Sequence, residues 1–130
     1  MLNLNPETVC FIISKARQFQ AKEEVVIPEV PYSATDDWAR QILASHIEDA
    51  CVREVKATVQ DLEPDQQEEL IALMWLGRGD YLVDEWSLIM RDAAHALQDI
   101  SDPGAYLLSH PLVADYLLEG LAQFGIGCQE

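Results

Sequence analysis

The longest uninterrupted apolar run lies at the centre of the chain, in Leu70–Leu76. Periodicity alone does not distinguish a buried strand from a helix that is apolar on all sides. The flanks favour a helix, because Glu63 and Pro64 suit its cap and first position and carboxylates fill the first turn. Gly77 or Gly79 then supplies the left-handed residue that ends many helices. The pattern predicts a central helix from about Pro64 to Leu76 or Gly77.

Apolar residues spaced by three and four predict helices on both sides of this centre. A first helix starts at the Asn5-Pro6 cap and ends near Ala21. A long second helix runs from Thr35 or Asp36 to about Val59. Further helices cover about 83 to 98, a short turn at 105 to 109, and 112 to 124, and their apolar faces include Leu82 and Leu112.

The segment between the first two helices breaks this pattern. Pro28 and Pro31 lie among valines and an isoleucine, and two prolines three residues apart block a helix. We expect an extended arm or a short edge strand over residues 22–35. The chain is thus predicted to be one compact all-α domain of five to six helices, with the first helix in 1–21, a helical core in 36–125 and a tail in 126–130.

Charge narrows the range of partners. The 130 residues carry a formal net charge of −15, while 49% of them are hydrophobic, as expected for a folded protein. Such a surface repels phosphate backbones and anionic membranes, so we expect no nucleic-acid or membrane partner. A basic protein partner, a second copy or a cation suits it better, although excess carboxylates also serve solubility alone.

The termini and the cysteines favour a cytoplasmic protein. The first residues lack a basic leader, and no apolar run approaches the roughly 18 residues of a membrane span. Cys10, Cys51 and Cys128 are odd in number and far apart, without disulfide or zinc spacing. We expect Cys10 and Cys51 to be small core residues and Cys128 to be a free thiol in the tail.

The turn after the central helix carries the sequence Arg78-Gly79-Asp80. An integrin-type role for this tripeptide is a chance match in a cytoplasmic protein. An EF-hand register that places Gly79 at the sixth loop position also fails, because its first and third ligand positions are then Met74 and Leu76. We expect Arg78 to cap the carbonyl end of the central helix or to pair with a buried carboxylate, and Asp80 to cap the next helix.

The residues around this turn suggest a tentative ligand site. Tyr81 and Trp86 would pack behind the turn, and a site there would use Arg78, Asp80, Tyr81, Trp86 and His95. Trp75 at the end of the central helix would join them.

Acidic residues on the fourth helix are a weaker signal. Glu85, Asp92 and Asp99 are spaced by seven, and His95 follows Asp92 by three, as in half of a di-iron bundle site. A solvated acidic stripe explains the same spacing, so no metal ligand is assigned. His110, which precedes a proline, is interpreted as a turn residue.

Motifs of catalysis are missing from the sequence. It contains no G-x-S-x-G elbow, no phosphate-binding glycine loop and no cysteine in an activating context. Paired acids leave general acid–base chemistry open, because carboxylates occur throughout the chain. We therefore assign no catalytic residue and no cofactor.

Two stretches resemble a known protein family. The sequences L-M-W-L-G-R-G-D-Y (Leu73–Tyr81), followed by Glu85-Trp86, and H-P-L-V-A-D-Y-L-L-E-G-L (His110–Leu121) are similar to a domain-of-unknown-function family of small, mostly proteobacterial proteins. The resemblance covers about Leu62 to Gly125. It implies a helical fold and a bacterial source, and it brings no activity, cofactor or site residue.

Two functions from different classes follow from these observations. The first is a non-catalytic, acidic helical domain that binds a partner protein or itself. The alternative is a metal- or small-ligand-binding helical domain, possibly an enzyme, with its site beside the Gly77–Asp80 turn. The alternative predicts a concave pocket next to Arg78.

Overall fold

The computed structural model describes residues 2–21 and 49–128, which form α-helices joined by short turns. A 3₁₀ turn, Val83–Glu85, leads directly into the fourth of them. The described part contains no strand, which confirms the all-α class. The helices are α1 (Pro6–Gln20), α2 (Ala50–Gln60), α3 (Pro64–Arg78), α4 (Trp86–Asp99), α5 (Pro103–Leu108) and α6 (Val113–Ala122).

The predicted ends of α1 and α3 are confirmed by their caps. Asn5 Oδ1 accepts a hydrogen bond from the Glu7 N–H at 2.9 Å, ahead of Pro6. At the start of α3, the Gln66 side chain accepts the Glu63 N–H at 3.0 Å, which satisfies a donor that the helix leaves free. Gly79, at φ 93°, ends α3, whereas Gly77 lies inside it.

The predicted second helix is interrupted at Asp49. Asp49 is extended (φ −66°, ψ 130°), and its carboxylate accepts the N–H groups of Cys51 and Val52 at the start of α2. The prediction of one unbroken helix from Asp36 to Val59 is therefore wrong at Asp49. An aspartate at this position lies outside the helix and accepts hydrogen bonds from the N–H groups of its first turn. The predicted arm, 22–35, and the rest of the predicted second helix up to residue 48 lie outside the described residues.

Helix α3 is the centre of the core, as predicted. Its residues 70–74 and Leu76 are buried almost completely. It packs mainly against α6 and α4, while α1 packs against α2 and α6, and α5 packs against α2. The predicted burial of Leu82 and Leu112 is wrong, since they are 69% and 50% exposed. Both precede the first turn of a helix and so lie off its inward face.

Two glycines let α3 and α6 approach each other at backbone distance. A Cβ on Gly77 of α3 would lie 1.7 Å from the carbonyl oxygen of Tyr116 on α6. A Cβ on Gly120 of α6 would lie 2.3 Å from the carbonyl oxygen of Leu73 on α3. Each glycine thus faces the backbone of the opposite helix, one turn apart on both sides. No side chain fits at either position without moving the helices apart.

A disulfide joins α1 to the segment that follows α6. Cys10 and Cys128 are bonded, with their Cα atoms 5.6 Å apart. The prediction that neither takes part in a disulfide is wrong, because packing of α1 on α6 brings together cysteines 118 positions apart. Cys51 is a buried free thiol, as predicted. None of the described helices is long and apolar enough to cross a membrane.

A buried carboxylate on α3 holds the N-terminal segment. Glu69 is 3% exposed, and its two oxygens accept the backbone N–H groups of Asn3 and Leu4, both at 2.9 Å. Leu4 is itself buried in the core at 2% exposure. Hydrogen bonds to a charged acceptor are stronger than neutral ones, so this contact is a strong link between the segment before α1 and the central helix.

We expect Gly120→Ala to destabilise the protein by about 1–3 kcal/mol, because the added methyl group forces α6 away from Leu73. The sign is diagnostic, since helix propensity alone would make the alanine variant about 1 kcal/mol more stable. Urea unfolding followed by circular dichroism measures the change. Gly127→Ala is the control, because a Cβ there meets no atom within 4 Å. A Gly120→Ala variant as stable as the parent would contradict the close crossing.

We expect Glu69→Ala to lower the free energy of unfolding by about 2–3 kcal/mol, because two N–H groups lose their acceptor. The hydrogen-exchange rate of the Leu4 amide should rise by a factor that corresponds to this loss of free energy or more. Glu68→Ala is the matched control, since Glu68 forms no hydrogen bond or ion pair within the described part of the chain. Equal behaviour of the two variants would show that Glu69 does not hold the segment.

Candidate functional site

A small pocket lies beside the end of α3, at the position that the ligand-binding alternative predicts. It has a volume of about 150 Å³. Helix α3 contributes residues from its last turn. The left-handed turn at Gly79 then redirects the chain, so that the residues after it line the same pocket, and α5 forms the opposite wall. The lining residues are Trp75, Arg78, Asp80, Tyr81 and Tyr106.

The charged wall of the pocket is an ion pair across the glycine. Arg78 Nε and Nη2 lie 2.8 Å and 2.6 Å from the same oxygen, Asp80 Oδ2, and the two side chains are 19% and 17% exposed. Arg78 therefore pairs with a carboxylate, as one of its two expected roles requires, although this carboxylate is partly exposed and not buried as expected. The expectation that Asp80 caps the next helix is wrong, because the Leu82 N–H is accepted by Glu85 Oε1 at 2.8 Å instead.

The remaining walls are aromatic. The rings of Trp75 and Tyr81 are nearly parallel, with centroids 6.2 Å apart. The Trp75 indole N–H donates to the Tyr106 hydroxyl over 3.4 Å, a long hydrogen bond. The Tyr81 hydroxyl donates to Asp92 Oδ2 at 2.8 Å, which ties the turn to α4. These contacts fix the orientation of the three rings around the pocket.

The structure brings together three of the five residues proposed from the sequence. Arg78, Asp80 and Tyr81 line the pocket, whereas Trp86 packs edge-to-face on Phe124 at the end of α6, with centroids 4.9 Å apart. His95 lies exposed on α4 and does not line the pocket. Across residues 2–21 and 49–128, no group of three or more His, Cys, Asp or Glu side chains could hold a metal ion.

Sequence reasoning missed the role of Tyr106. It lies on the short helix α5, where six residues carry too little periodicity to show which side chain faces which neighbour.

The acidic stripe on α4 is not simply a solvated face, because two of its three carboxylates form hydrogen bonds within the chain. Asp92 accepts from Tyr81 and Glu85 caps the turn before α4, while Asp99 is exposed at the end of the helix.

A larger open cleft of about 370 Å³ separates α2 from the link between α4 and α5. Lys56 and Asp102 pair across it at 3.1 Å, and the Gln67 amide donates to the Val59 carbonyl at 2.8 Å. Its principal polar groups are thus bonded to each other or to the backbone. The pocket beside Gly79 combines charge with aromatic rings, so we take it as the candidate site.

His110 lies behind Tyr106, in the turn before α6, and is only 3% exposed. Its Nδ1–H donates to the Tyr106 carbonyl at 2.8 Å, and its ring packs edge-to-face on the Tyr106 ring, with centroids 5.0 Å apart. Burial is the largest cause that lowers the pKa of His110 from its usual 6.5 to about 4; the hydrogen bond to the Tyr106 carbonyl opposes this effect, and the nearby Arg78 charge adds to it. His110 is therefore neutral at pH 7.

This pKa predicts a pH-dependent stability. Between about pH 6.5 and pH 4 the unfolded chain binds a proton at His110 that the folded chain does not, so stability is full above this window and falls as the pH falls through it. The slope is about 1.4 kcal/mol per pH unit, roughly 3 kcal/mol in total. Urea unfolding of the parent and of His110→Gln at several pH values isolates this contribution, and equal slopes for both proteins would refute it.

Comparison with known proteins agrees with the predicted resemblance. No curated protein and no solved structure matches the chain significantly. Residues 52–126 match the family described as "Protein of unknown function (DUF3775)". The matched region runs from the first turn of α2 to just beyond α6 and so includes every residue that lines the pocket. Because the match spans more than half of the chain, the protein belongs to the DUF3775 family.

Proposed function

We propose that the protein is a non-catalytic, acidic helical domain that binds a basic protein partner or a second copy of itself. The observation that carries this proposal is that its lysines and arginines form ion pairs within the chain. Five lysines and arginines of the described part each form an ion pair with a carboxylate of the same chain: Lys15, Arg17, Lys56, Arg78 and Arg91.

These internal pairs leave much of the acidity of the surface uncompensated. Asp61, Asp84, Asp99 and Glu119 are exposed and form no ion pair within residues 2–21 and 49–128. With a net charge of −15, the protein attracts positively charged surfaces and repels phosphate backbones. Electrostatic complementarity of this kind raises association rates and selects partners by charge.

The size of the pocket also supports a protein partner. Pockets for cofactors and drug-sized ligands usually measure roughly 300–1,000 Å³. The pocket beside Gly79 has about half of the lower value, which is enough for one side chain or a few water molecules. A partner protein can insert such a side chain, whereas most cofactors are too large.

The second candidate function is binding of a small ligand in the same pocket. The observation that favours it is the convergence of an ion pair and three aromatic side chains in one concave place. Arg78 and Asp80 would orient a polar ligand, and Trp75, Tyr81 and Tyr106 would cover its apolar part. Metal binding and catalysis at this place have no comparable support.

The proposal includes the cytoplasmic location expected from the sequence and a bacterial source, which the family resemblance implies. Cytoplasmic proteins are kept reduced by glutathione and thioredoxin systems. In that compartment Cys10 and Cys128 would exist mostly as the dithiol, and the bond between them would form on exposure to oxidant.

Native mass spectrometry of protein purified gently, without chelator, distinguishes the two candidates. We expect a mass of two or more bare chains, or a complex with a second protein that dissociates as salt rises from about 0.05 M to 0.5 M. Reduced and oxidised samples should be compared, so that a Cys-linked dimer is not mistaken for self-association. A reproducible small added mass would favour the ligand-binding candidate. A bare monomer without partner at all salt concentrations would contradict the interaction domain.

A further inference from the structure

We propose that the pocket beside Gly79 receives the side chain of a lysine from the basic partner. This inference rests on the proposed function and names the recognition chemistry of one place on its surface. The pocket brings three aromatic side chains and one carboxylate together in about 150 Å³. That combination suits an aliphatic chain with an ammonium group at its end.

Two polar groups of the pocket retain hydrogen-bonding capacity. Both contacts from Arg78 end on Asp80 Oδ2, and within the described part of the chain Oδ1 accepts no hydrogen bond. The Tyr106 hydroxyl accepts from Trp75 over 3.4 Å and keeps a second lone pair. An ammonium group has three donors and no acceptor, so each of these two oxygens is a suitable acceptor for it.

The aromatic side chains suit the rest of a lysine. Trp75, Tyr81 and Tyr106 provide apolar surface for the four methylene groups, and aromatic rings attract a cation through their quadrupole. Their mutual contacts hold them in place before binding, because Tyr81 is bonded to Asp92 and Tyr106 packs on the buried His110. A preformed pocket loses less conformational entropy on binding.

The electrostatics favour a cation over an anion. The charge of Arg78 is balanced by Asp80, and Asp92 lies directly behind Tyr81. Arg91 approaches Asp92 at 3.7 Å, but its side chain is 68% exposed, so solvent screens that pair. A carboxylate ligand would have to displace Asp80 from Arg78 and enter a protein of net charge −15.

The test uses n-butylammonium as a probe of the lysine side chain, with the oxidised full-length protein at constant ionic strength. The Trp75 indole N–H signal in a ¹⁵N-correlated NMR spectrum should shift with a dissociation constant on the order of 10 mM. The Trp86 indole, which packs on Phe124 away from the pocket, is the internal reference. n-Butanol and butyrate at equal concentration test the neutral chain and the anion.

Variants assign the effect to the pocket. Asp80→Asn should weaken butylammonium binding about tenfold, and Tyr81→Leu about threefold to thirtyfold, because each removes one source of attraction for the cation. Asp84→Asn is the matched control: it removes one exposed carboxylate that does not line the pocket, and it should bind within about twofold of the parent. An unchanged circular dichroism spectrum and unfolding midpoint show that each variant is folded.

Three results would overturn the inference. A shift of the Trp75 signal of equal size with butanol would indicate a merely apolar crevice. Preferential binding of butyrate would indicate an anion site at Arg78. No shift of the Trp75 signal with butylammonium would exclude the pocket as a binding site for the lysine side chain. None of these contradicts the interaction domain if native masses show a basic partner or a dimer. Conversely, specific butylammonium binding by a protein that remains a bare monomer would support the pocket and count against the proposed function.

Discussion

The structure depends above all on the backbone contact between α3 and α6. Gly77 lies against the Tyr116 carbonyl and Gly120 against the Leu73 carbonyl, so each helix provides the space that the other needs. Close approach buries residues 70–74 and Leu76 of α3 and turns this helix into the axis of the core. The protein therefore gives up helix propensity at two positions, about 1 kcal/mol each, for a tightly packed centre.

The same crossing determines where the pocket lies. Gly77 packs on α6 just before Arg78, so the last turn of α3 is held in place where the chain turns at Gly79. The link between α5 and α6 contains the buried His110, whose contacts with Tyr106 position the opposite wall. A rigid support under a partly exposed ion pair suits the proposed recognition of a partner group, because a preformed site loses less conformational entropy on binding.

Sequence patterns predicted the parts of the fold that depend on neighbouring residues. The caps of α1 and α3, and burial around Leu73, follow from local capping and apolar patterns. The patterns did not predict contacts between distant segments, such as the Cys10–Cys128 bond or the capture of Leu4 by Glu69. Within the site, Arg78, Asp80, Tyr81 and Trp75 were found because they surround one turn, whereas Tyr106 is brought there by tertiary packing.

The most direct test of this account is an NMR measurement of distances between backbone protons of α3 and α6. The close crossing predicts strong nuclear Overhauser effects from the Gly77 Hα protons to Tyr116 Hα and from the Gly120 Hα protons to Leu73 Hα. Both effects require the two helices to be in backbone contact at these residues. Absence of both effects in a spectrum that resolves the four residues would contradict the crossing, and with it the support assigned to the pocket.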